Sequence, residues 1–170
     1  MDRPDAVMAR IAQGQERAVA GDREGARRIF EEVWDALQGS GDIAPDPLHV
    51  VTLAHYMADV QTDPAEELRW DLRALDAADS LTDDRAKEHH SSLSVAGFYP
   101  SLHLNVAAAR HALGQSAEAR HHLDRAAQCC EHLADDGYGR MIRGGIARLR
   151  AELDATVGPP GQSGRRAQHR

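Results

Sequence analysis

A three-part pattern of a helix break followed by two apolar residues occurs three times along the 170-residue chain. The copies are Gly21-Asp22 with Ala26 and Phe30, Asp63-Pro64 with Leu68 and Leu72, and Gly114-Gln115 with Ala119 and Leu123. Successive copies begin 42 and then 51 residues apart. Because one helical hairpin cannot bury both of its apolar faces, this repetition predicts hairpins that stack into a continuous core.

The spacing of apolar residues predicts a helix on each side of every turn. The clearest helix runs from Arg23 to Leu37, where apolar residues recur at steps of three and four. Further helices are predicted over 4–20, 46–60, 63–79, 100–113, 116–133 and 138–154, with a weaker pattern over 82–95. No segment alternates as a strand would. The predicted fold class is all-α, an α-α superhelix of about three hairpins with a C-terminal capping helix.

The helix that begins near Asp63 has its apolar stripe at Leu68, Leu72 and Leu75. Trp70 and Asp71 lie off that stripe, and Trp70 is expected to pack against the following repeat. In the last helix we expect Met141 to share the buried face with the other large apolar residues.

Composition and length favour one helical domain. Aromatic residues make up only 4% of the chain, so Ala, Leu, Val and Ile must build the core. We predict a repeat domain over residues 1–156. The segment 157–170 contains Gly158-Pro159-Pro160-Gly161 and no apolar period, so it is expected to be a disordered C-terminal tail.

Charge and cysteine content exclude several classes of protein. The net charge of −7 argues against nucleic-acid binding, which needs a basic surface to release counterions. No apolar run is long enough to span a membrane, and no signal peptide is visible, which indicates a cytoplasmic protein. Cys129 and Cys130 are adjacent and predict no disulfide. Lys87 is the only lysine beside many arginines, a usage typical of GC-rich bacterial genomes.

The repeated pattern resembles the tetratricopeptide repeat family. The small residues and turns that match are Gly14, Gly21, Asp22, Ala26 and Phe30 in the first copy, and Ala107, Gly114, Ala119, Leu123 and Ala126 in the third. The Trp and Tyr of the family pattern are absent, and the spacing exceeds the usual 34 residues. The resemblance covers about residues 5–155. It implies an interaction scaffold whose first helices line a concave groove.

A polar stripe on the third predicted helix is the candidate site. That stripe contains His49, Thr52, His55, Tyr56 and Asp59, at the spacing of one helical face. The corresponding positions in the next first helix are Tyr99, His103 and Asn105. Together these eight residues are predicted to form a groove for a protein or peptide partner. The alternative that the stripe only faces water stays open.

No motif in the sequence indicates catalysis or a cofactor. There is no nucleophile elbow, phosphate-binding loop, dinucleotide fingerprint or zinc-protease motif. We therefore predict a protein that is not an enzyme and that needs no cofactor or metal. Two alternatives remain: a small hydrolase or metal-dependent enzyme that uses His55, Asp59 and His103, and a purely structural homo-oligomer such as a homodimer.

Overall fold

The computed structural model describes residues 5–39, 44–89 and 94–156, and within these ranges the chain is all-α. The helices are α1 (Ala6–Val19), α2 (Arg23–Gln38), α3 (Pro47–Asp59), α4 (Pro64–Asp79), α5 (Asp83–His89), α6 (Tyr99–Ala112), α7 (Ser116–Cys129) and α8 (Gly137–Thr156). Short 3-10 turns at Val95–Gly97 and Cys130–His132 precede α6 and follow α7. The predicted all-α class is confirmed.

Local sequence accounts for where these helices begin and end. The side chains of four aspartates accept hydrogen bonds from backbone N–H groups of the first turns of α1, α2, α3 and α4; they are Asp5, Asp22, Asp46 and Asp63. Gly21 and Gly114 follow α1 and α6 with φ of 86° and 73°, a backbone conformation that glycine adopts without strain. The turns that define the sequence repeat therefore lie between paired helices.

The helices form three hairpins, α1–α2, α3–α4 and α6–α7, and α8 packs on the last of them. Neighbouring hairpins contact each other through α1 and α2 against α3, and through α4 against α6. Among the first helices, α1 packs against α3 and α6 packs against α8, and a side-chain contact between Asn105 and His55 joins α6 to α3. We call the outer surface of these four helices the first-helix face.

Apolar side chains fill the space between the paired helices. Phe30 is completely buried, and its ring lies against Gly14 of α1, where a β-carbon would overlap it. At the other end, α8 covers the third hairpin with a row of buried residues, Ile142, Ile146, Leu149 and Leu153. This contact agrees with the capping role predicted for the last helix.

The buried face of α4 differs from the predicted stripe. Leu68 is buried as expected, but Leu72 and Leu75 are only partly buried. The fully buried residues of α4 include Asp71, Ala74 and Ala78. Because α4 packs against α3 and also against α6, its buried surface is wider than a single stripe. The prediction that Asp71 lies off the buried face is therefore wrong.

Trp70 contacts the preceding hairpin through Trp34, whereas the sequence predicted that it packs against the following repeat. Its ring meets that of Trp34 on α2 edge to face, with centroids 5.2 Å apart. The guanidinium of Arg73 lies 4.6 Å from the Trp34 ring centroid and 4.5 Å from that of Trp70. This arrangement of a cation over two aromatic rings stabilises the contact between α2 and α4.

Three smaller predictions also need correction. Within the helix predicted over 82–95, the described residues contain α5 and the start of a 3-10 turn at Val95, and residues 90–93 lie outside the described ranges. The helix predicted over 116–133 ends at Cys129. Met141 is 58% exposed and does not belong to the buried face of α8. The predicted tail 157–170 and the start of the first helix at Pro4 lie outside the described residues. Within the described ranges no helix is long and apolar enough to cross a bilayer.

Candidate functional site

The eight residues predicted to line a groove fall into three groups in the structure. His49 lies at the start of α3, among charged side chains. Tyr99 and His103 contact α4 and α7. The remaining residues belong to the first-helix face; they are Thr52, His55, Tyr56, Asp59 and Asn105.

His49 takes part in a charged network that joins the starts of α1 and α3 to α5. Its Nε2 lies 2.7 Å from a carboxylate oxygen of Asp5, the capping residue of α1. Arg85 of α5 donates to Asp46 at 2.6 Å and to Asp5 at 3.3 Å. Burial raises the pKa of Asp5, but hydrogen bonds from His49 and from the Met8 N–H outweigh it and lower that pKa overall. These contacts give His49 a structural role.

Tyr99 and His103 lie on a different face of α6 from Asn105. Positions 103 and 105 are about 200° apart around a helix, so both cannot face the same neighbour. His103 directs Nδ1 at Nδ1 of His122 on α7, at 3.0 Å, and the Tyr99 hydroxyl donates to Asp79 at 2.7 Å. Burial and the neighbouring His122 lower the pKa of His103 to about 4, so it is neutral at physiological pH.

His55 and Asn105 connect α3 to α6 on the first-helix face. The amide of Asn105 lies 3.2 Å from Nδ1 of His55 and donates to it, which leaves any proton of a neutral His55 on Nε2. Thr52 uses its hydroxyl within α3, donating to the Leu48 carbonyl oxygen at 2.8 Å. Tyr56 places its ring beside Phe30, and burial raises the pKa of its hydroxyl, which also contacts Gln15 of α1.

Two cavities between α1 and α3 open on this face. The larger, about 420 Å³, is lined by Met8, Ile11 and Thr52 among others, and the smaller, about 250 Å³, by Val19 and Asp59 among others. Both are lined by Gln15 and Tyr56, so they adjoin. They form a continuous depression along the two helices.

A larger space of about 640 Å³ lies between α1 and α2, away from these polar residues. Arginine and glutamate side chains line it, and two of its arginines are already in ion pairs, Arg10 with Glu32 at 2.6 Å and Arg17 with Asp22 at 2.7 Å. Because none of the predicted site residues lines this space, we place the candidate site in the depression between α1 and α3.

A buried carboxyl group on α4 adjoins this site, and the sequence did not reveal it. Asp71 is 1% exposed, and neither of its carboxylate oxygens has a hydrogen-bond partner among the described residues. Burial, together with the like charges of Glu67 and Asp59, raises its pKa to about 8, and the side chain of Asn105 is close enough to oppose that rise as a weak hydrogen-bond donor. One signal was available: Asp71 is three residues from both Leu68 and Ala74, on the period of the buried face.

Glu67 and Asp59 complete an acidic cluster with Asp71. Burial and the nearby Asp59 raise the pKa of Glu67, and Arg23 of α2 opposes them. Asp59 is exposed to solvent. The surrounding protein nevertheless reduces the hydration of its carboxylate and raises its pKa, and the nearby His55 offsets only part of that rise. The three carboxyl groups therefore share one region at the end of α3, where each disfavours the charge of the next.

Large apolar side chains are exposed beside the same depression. Val19 is 83% exposed and lines the smaller cavity. Tyr138 of α8 is 46% exposed, and its hydroxyl is near enough to Tyr56 to raise the pKa of that residue slightly. Met141 follows Tyr138 by one turn of α8. Of these three side chains, Val19 is the one that lines the depression.

Comparison with protein-family models, with curated proteins and with solved structures finds no match for this chain. The resemblance to tetratricopeptide repeats therefore remains a prediction from the sequence. Among the described residues, no group of three or more His, Cys, Asp or Glu side chains is placed to hold a metal ion.

The histidines named in the hydrolase alternative have separate partners in the structure. His55 accepts from Asn105, and His103 faces His122, so the two histidines do not converge on one substrate position. The Cys130 thiol donates to the Ala126 carbonyl oxygen, and burial raises its pKa, which keeps it protonated. The depression offers polar groups at Gln15 and Tyr56, the opposite charges of Asp59 and Arg23, and an exposed apolar side chain at Val19.

Proposed function

We propose that the first-helix face binds a segment of a partner protein, and that this non-enzymatic binding is the function of the chain. The observation that carries the proposal is the exposure of Val19, which lines the smaller cavity, together with that of Tyr138 and Met141 on α8; they are the exposed large apolar side chains of the described residues. Apolar area left in water forfeits roughly 25 cal/mol per Å². A group of such residues beside a depression is typical of a surface that a partner covers.

The depression supplies the other parts of a peptide-binding surface. The larger cavity, with Met8 and Ile11 in its wall, has room for an apolar side chain. Gln15 and Tyr56 lie where the two cavities adjoin and can hydrogen-bond the backbone of a bound segment. The resemblance in the sequence points to the same face, since the first helices of such repeats line the groove.

The cellular setting is also part of the proposal. Cys129 and Cys130 are free thiols, which fits a reducing compartment, and we propose a cytoplasmic protein. The use of arginine in place of lysine supports a bacterial source with a GC-rich genome.

A library of random peptides displayed on phage, selected on the full chain, tests the proposal. We expect enriched peptides to lose affinity by about tenfold in Val19→Glu and in Tyr138→Ser, because Val19 lines the smaller cavity and Tyr138 is exposed and close enough to Tyr56 to affect its pKa. Ala117→Glu, at an exposed position on α7, is the matched control and should leave affinity unchanged. Binding that both Val19→Glu and Tyr138→Ser leave intact, or a selection that enriches nothing, would refute a segment-binding role for this face.

Self-association is a second candidate because a second copy could cover the same exposed apolar side chains. Light scattering over a range of protein concentration distinguishes the two. A dimer that Val19→Glu dissociates would assign the face to self-association.

A further inference from the structure

A positively charged side chain of α4 lies where the two tryptophans of the chain meet. Trp34 of α2 and Trp70 of α4 are the only tryptophans in the sequence, and their rings meet edge to face with centroids 5.2 Å apart. The guanidinium carbon of Arg73 lies 4.6 Å from the centroid of the first ring and 4.5 Å from that of the second. All three side chains are partly exposed to solvent. We call these three residues the Trp–Arg cluster.

The contact with the rings leaves the hydrogen-bond donors of Arg73 unused. A guanidinium has several N–H donors in one plane and no acceptor. Among the described residues, no atom accepts a hydrogen bond from Arg73 and no carboxylate oxygen lies within 4.0 Å of it. Arg69, one turn earlier on the same helix, is paired with Glu66 at 2.7 Å. The donors of Arg73 are therefore available to an acceptor from outside the chain.

The surroundings of Arg73 do not balance its charge. Partial burial lowers the pKa of its guanidinium, and the positive charge of Arg69 lowers that pKa further. No carboxylate of the described chain opposes these two effects. Removing a charged group from water without an opposite charge is unfavourable, so an anion that binds here would stabilise the group. This positive point lies on a chain whose net charge is −7.

Packing between hairpins explains only part of the cluster. The contact of α2 with α4 accounts for the meeting of the two indole rings, but it does not require a charged residue over them. Aromatic residues make up only 4% of the chain, yet both tryptophans lie at this one partly exposed point. Tryptophan and arginine are the residue types enriched among those that contribute most to protein–protein binding.

We propose that the Trp–Arg cluster is an anchor for one carboxylate side chain, aspartate or glutamate, of a partner protein. The carboxylate accepts a bidentate pair of hydrogen bonds from Arg73, and the indole rings contact the methylene groups that carry it. None of the three residues of the cluster lines either cavity of the depression between α1 and α3. The anchor is therefore a second interaction surface, and it does not depend on the proposed function of the first-helix face.

The geometry of a guanidinium favours a carboxylate over other anions. The planar fork of N–H donors matches the two oxygens of a carboxylate, and such pairs are stronger than neutral hydrogen bonds. Contact with two rings restricts the orientation of Arg73, so less side-chain freedom is lost when the pair forms. A phosphate group carries about two negative charges and is usually bound by a cluster of arginines. Here the neighbouring cation, Arg69, is already paired with Glu66.

The experiment selects peptides on a chain whose first-helix face has been altered. Random peptides displayed on phage are selected on the full chain carrying Val19→Glu and Tyr138→Ser, and enriched peptides are synthesised with amidated C-termini. We expect them to contain an aspartate or glutamate whose replacement by the corresponding amide weakens binding by about tenfold. A selection that enriches nothing, or peptides whose affinity does not depend on an acidic residue, would overturn the proposal.

A double-mutant cycle tests the direct contact with Arg73. Arg73→Gln should also weaken binding by about tenfold, but it should have little further effect once the acidic residue of the peptide is an amide, because the same pair is already lost. Arg28→Gln is the matched control, since Arg28 is exposed on α2 without an ion pair or ring contact among the described residues. Independent losses in the cycle, or an equal loss in Arg28→Gln, would contradict the proposed contact.

Arg73→Lys separates recognition from stability. Lysine keeps the positive charge beside the rings but lacks the planar fork, so thermal unfolding should stay close to that of the wild type while peptide affinity falls by about threefold or more. If Arg73→Lys and Arg73→Gln both lower the melting temperature and both leave peptide affinity unchanged, Arg73 has a structural role alone and the proposal is wrong.

Other occupants of the cluster would give different results. Inorganic phosphate that displaces the acidic peptides much more effectively than acetate at equal ionic strength would assign the anchor to a phosphate group. Self-association of the wild-type chain that Arg73→Gln abolishes, measured by light scattering, would assign it to a second copy of the chain. Either result would overturn the proposal of a carboxylate anchor for a partner protein.

Discussion

Replacing Asp71 by asparagine removes a titrating carboxyl group from the interior while keeping the shape of the side chain. In the folded chain this group is 1% exposed and its two oxygens have no hydrogen-bond partner among the described residues. Burial and two neighbouring carboxylates, Glu67 and Asp59, raise its pKa from 3.8 to about 8. The variant should therefore change how the stability of the protein depends on pH.

The sign follows from the raised pKa. Between pH 4 and 8 the folded state keeps a proton on Asp71 that the unfolded state has released, so the unfolded state binds fewer protons. Stability from this group is fully present below pH 4 and declines as pH rises to about 8. One pH unit corresponds to about 1.4 kcal/mol, which gives a loss on the order of 4 kcal/mol from pH 5 to pH 8. Asp71→Asn should not show that loss.

The assay is chemical and thermal unfolding of both proteins at several pH values between about 5 and 8, the range over which the group changes charge. The quantity to report is the difference between variant and wild type at each pH, because other titrating groups contribute equally to both. For a chain of this size we expect the melting temperature of the variant to gain about 10 °C on the wild type across that range. Asp76→Asn, at an exposed position of α4, is the control, and its difference should be flat.

A difference between Asp71→Asn and wild type that stays constant over this pH range would refute the reasoning. A constant offset alone would mean that the buried amide lacks a partner, as the carboxyl group does, and that Asp71 does not titrate in this range. A wild type that becomes more stable than the variant as pH rises would show that Asp71 is charged and paired, contrary to the structure.

Three further outcomes are expected. Phe30→Ala should destabilise the fold by about 3–5 kcal/mol, measured by denaturant unfolding, because the ring is fully buried against α1. His103→Gln should reduce the loss of stability on acidification from about pH 6.5 towards 4. The pKa of His103 is lowered to about 4 in the folded chain, so below the higher pKa of the unfolded state a proton binds the unfolded chain preferentially and favours unfolding. Melting curves at both ends of this pH range check the expectation. Arg85→Gln should speed amide hydrogen exchange in α5 and leave α7 unchanged, because its ion pairs to Asp5 and Asp46 hold α5 against the starts of α1 and α3.

Much of the fold could be read from local patterns. Asp22, Asp46 and Asp63 before apolar periods, Pro47 and Pro64 in first turns, and glycines after periodic segments placed the helix boundaries to within a few residues. These signals are local because a cap satisfies backbone groups of its own helix.

The candidate site was predictable only in part. The spacing of His55, Tyr56 and Asp59 correctly put them near one another on α3, and the structure adds Asn105 at 3.2 Å from His55. The structure separates His103 from these residues and places it against His122 of α7. Aligning the first helices by sequence does not fix how each helix is rotated about its own axis. Because successive residues are about 100° apart around a helix, residues close in sequence contact different partners.

The sequence by itself determined the helices, their turns and the order of the hairpins, since capping and apolar period act over a few residues. Only the tertiary structure decided which helix faces meet. Because α4 packs against both α3 and α6, Asp71 is buried, and the Trp70 ring contacts that of Trp34. From the sequence alone, a carboxyl group with charged neighbours is expected at the surface, and its burial becomes evident only when the helices on either side of it are known. The burial of Asp71, and with it the raised pKa of its carboxyl group, results from the packing of three helices and not from any one of them.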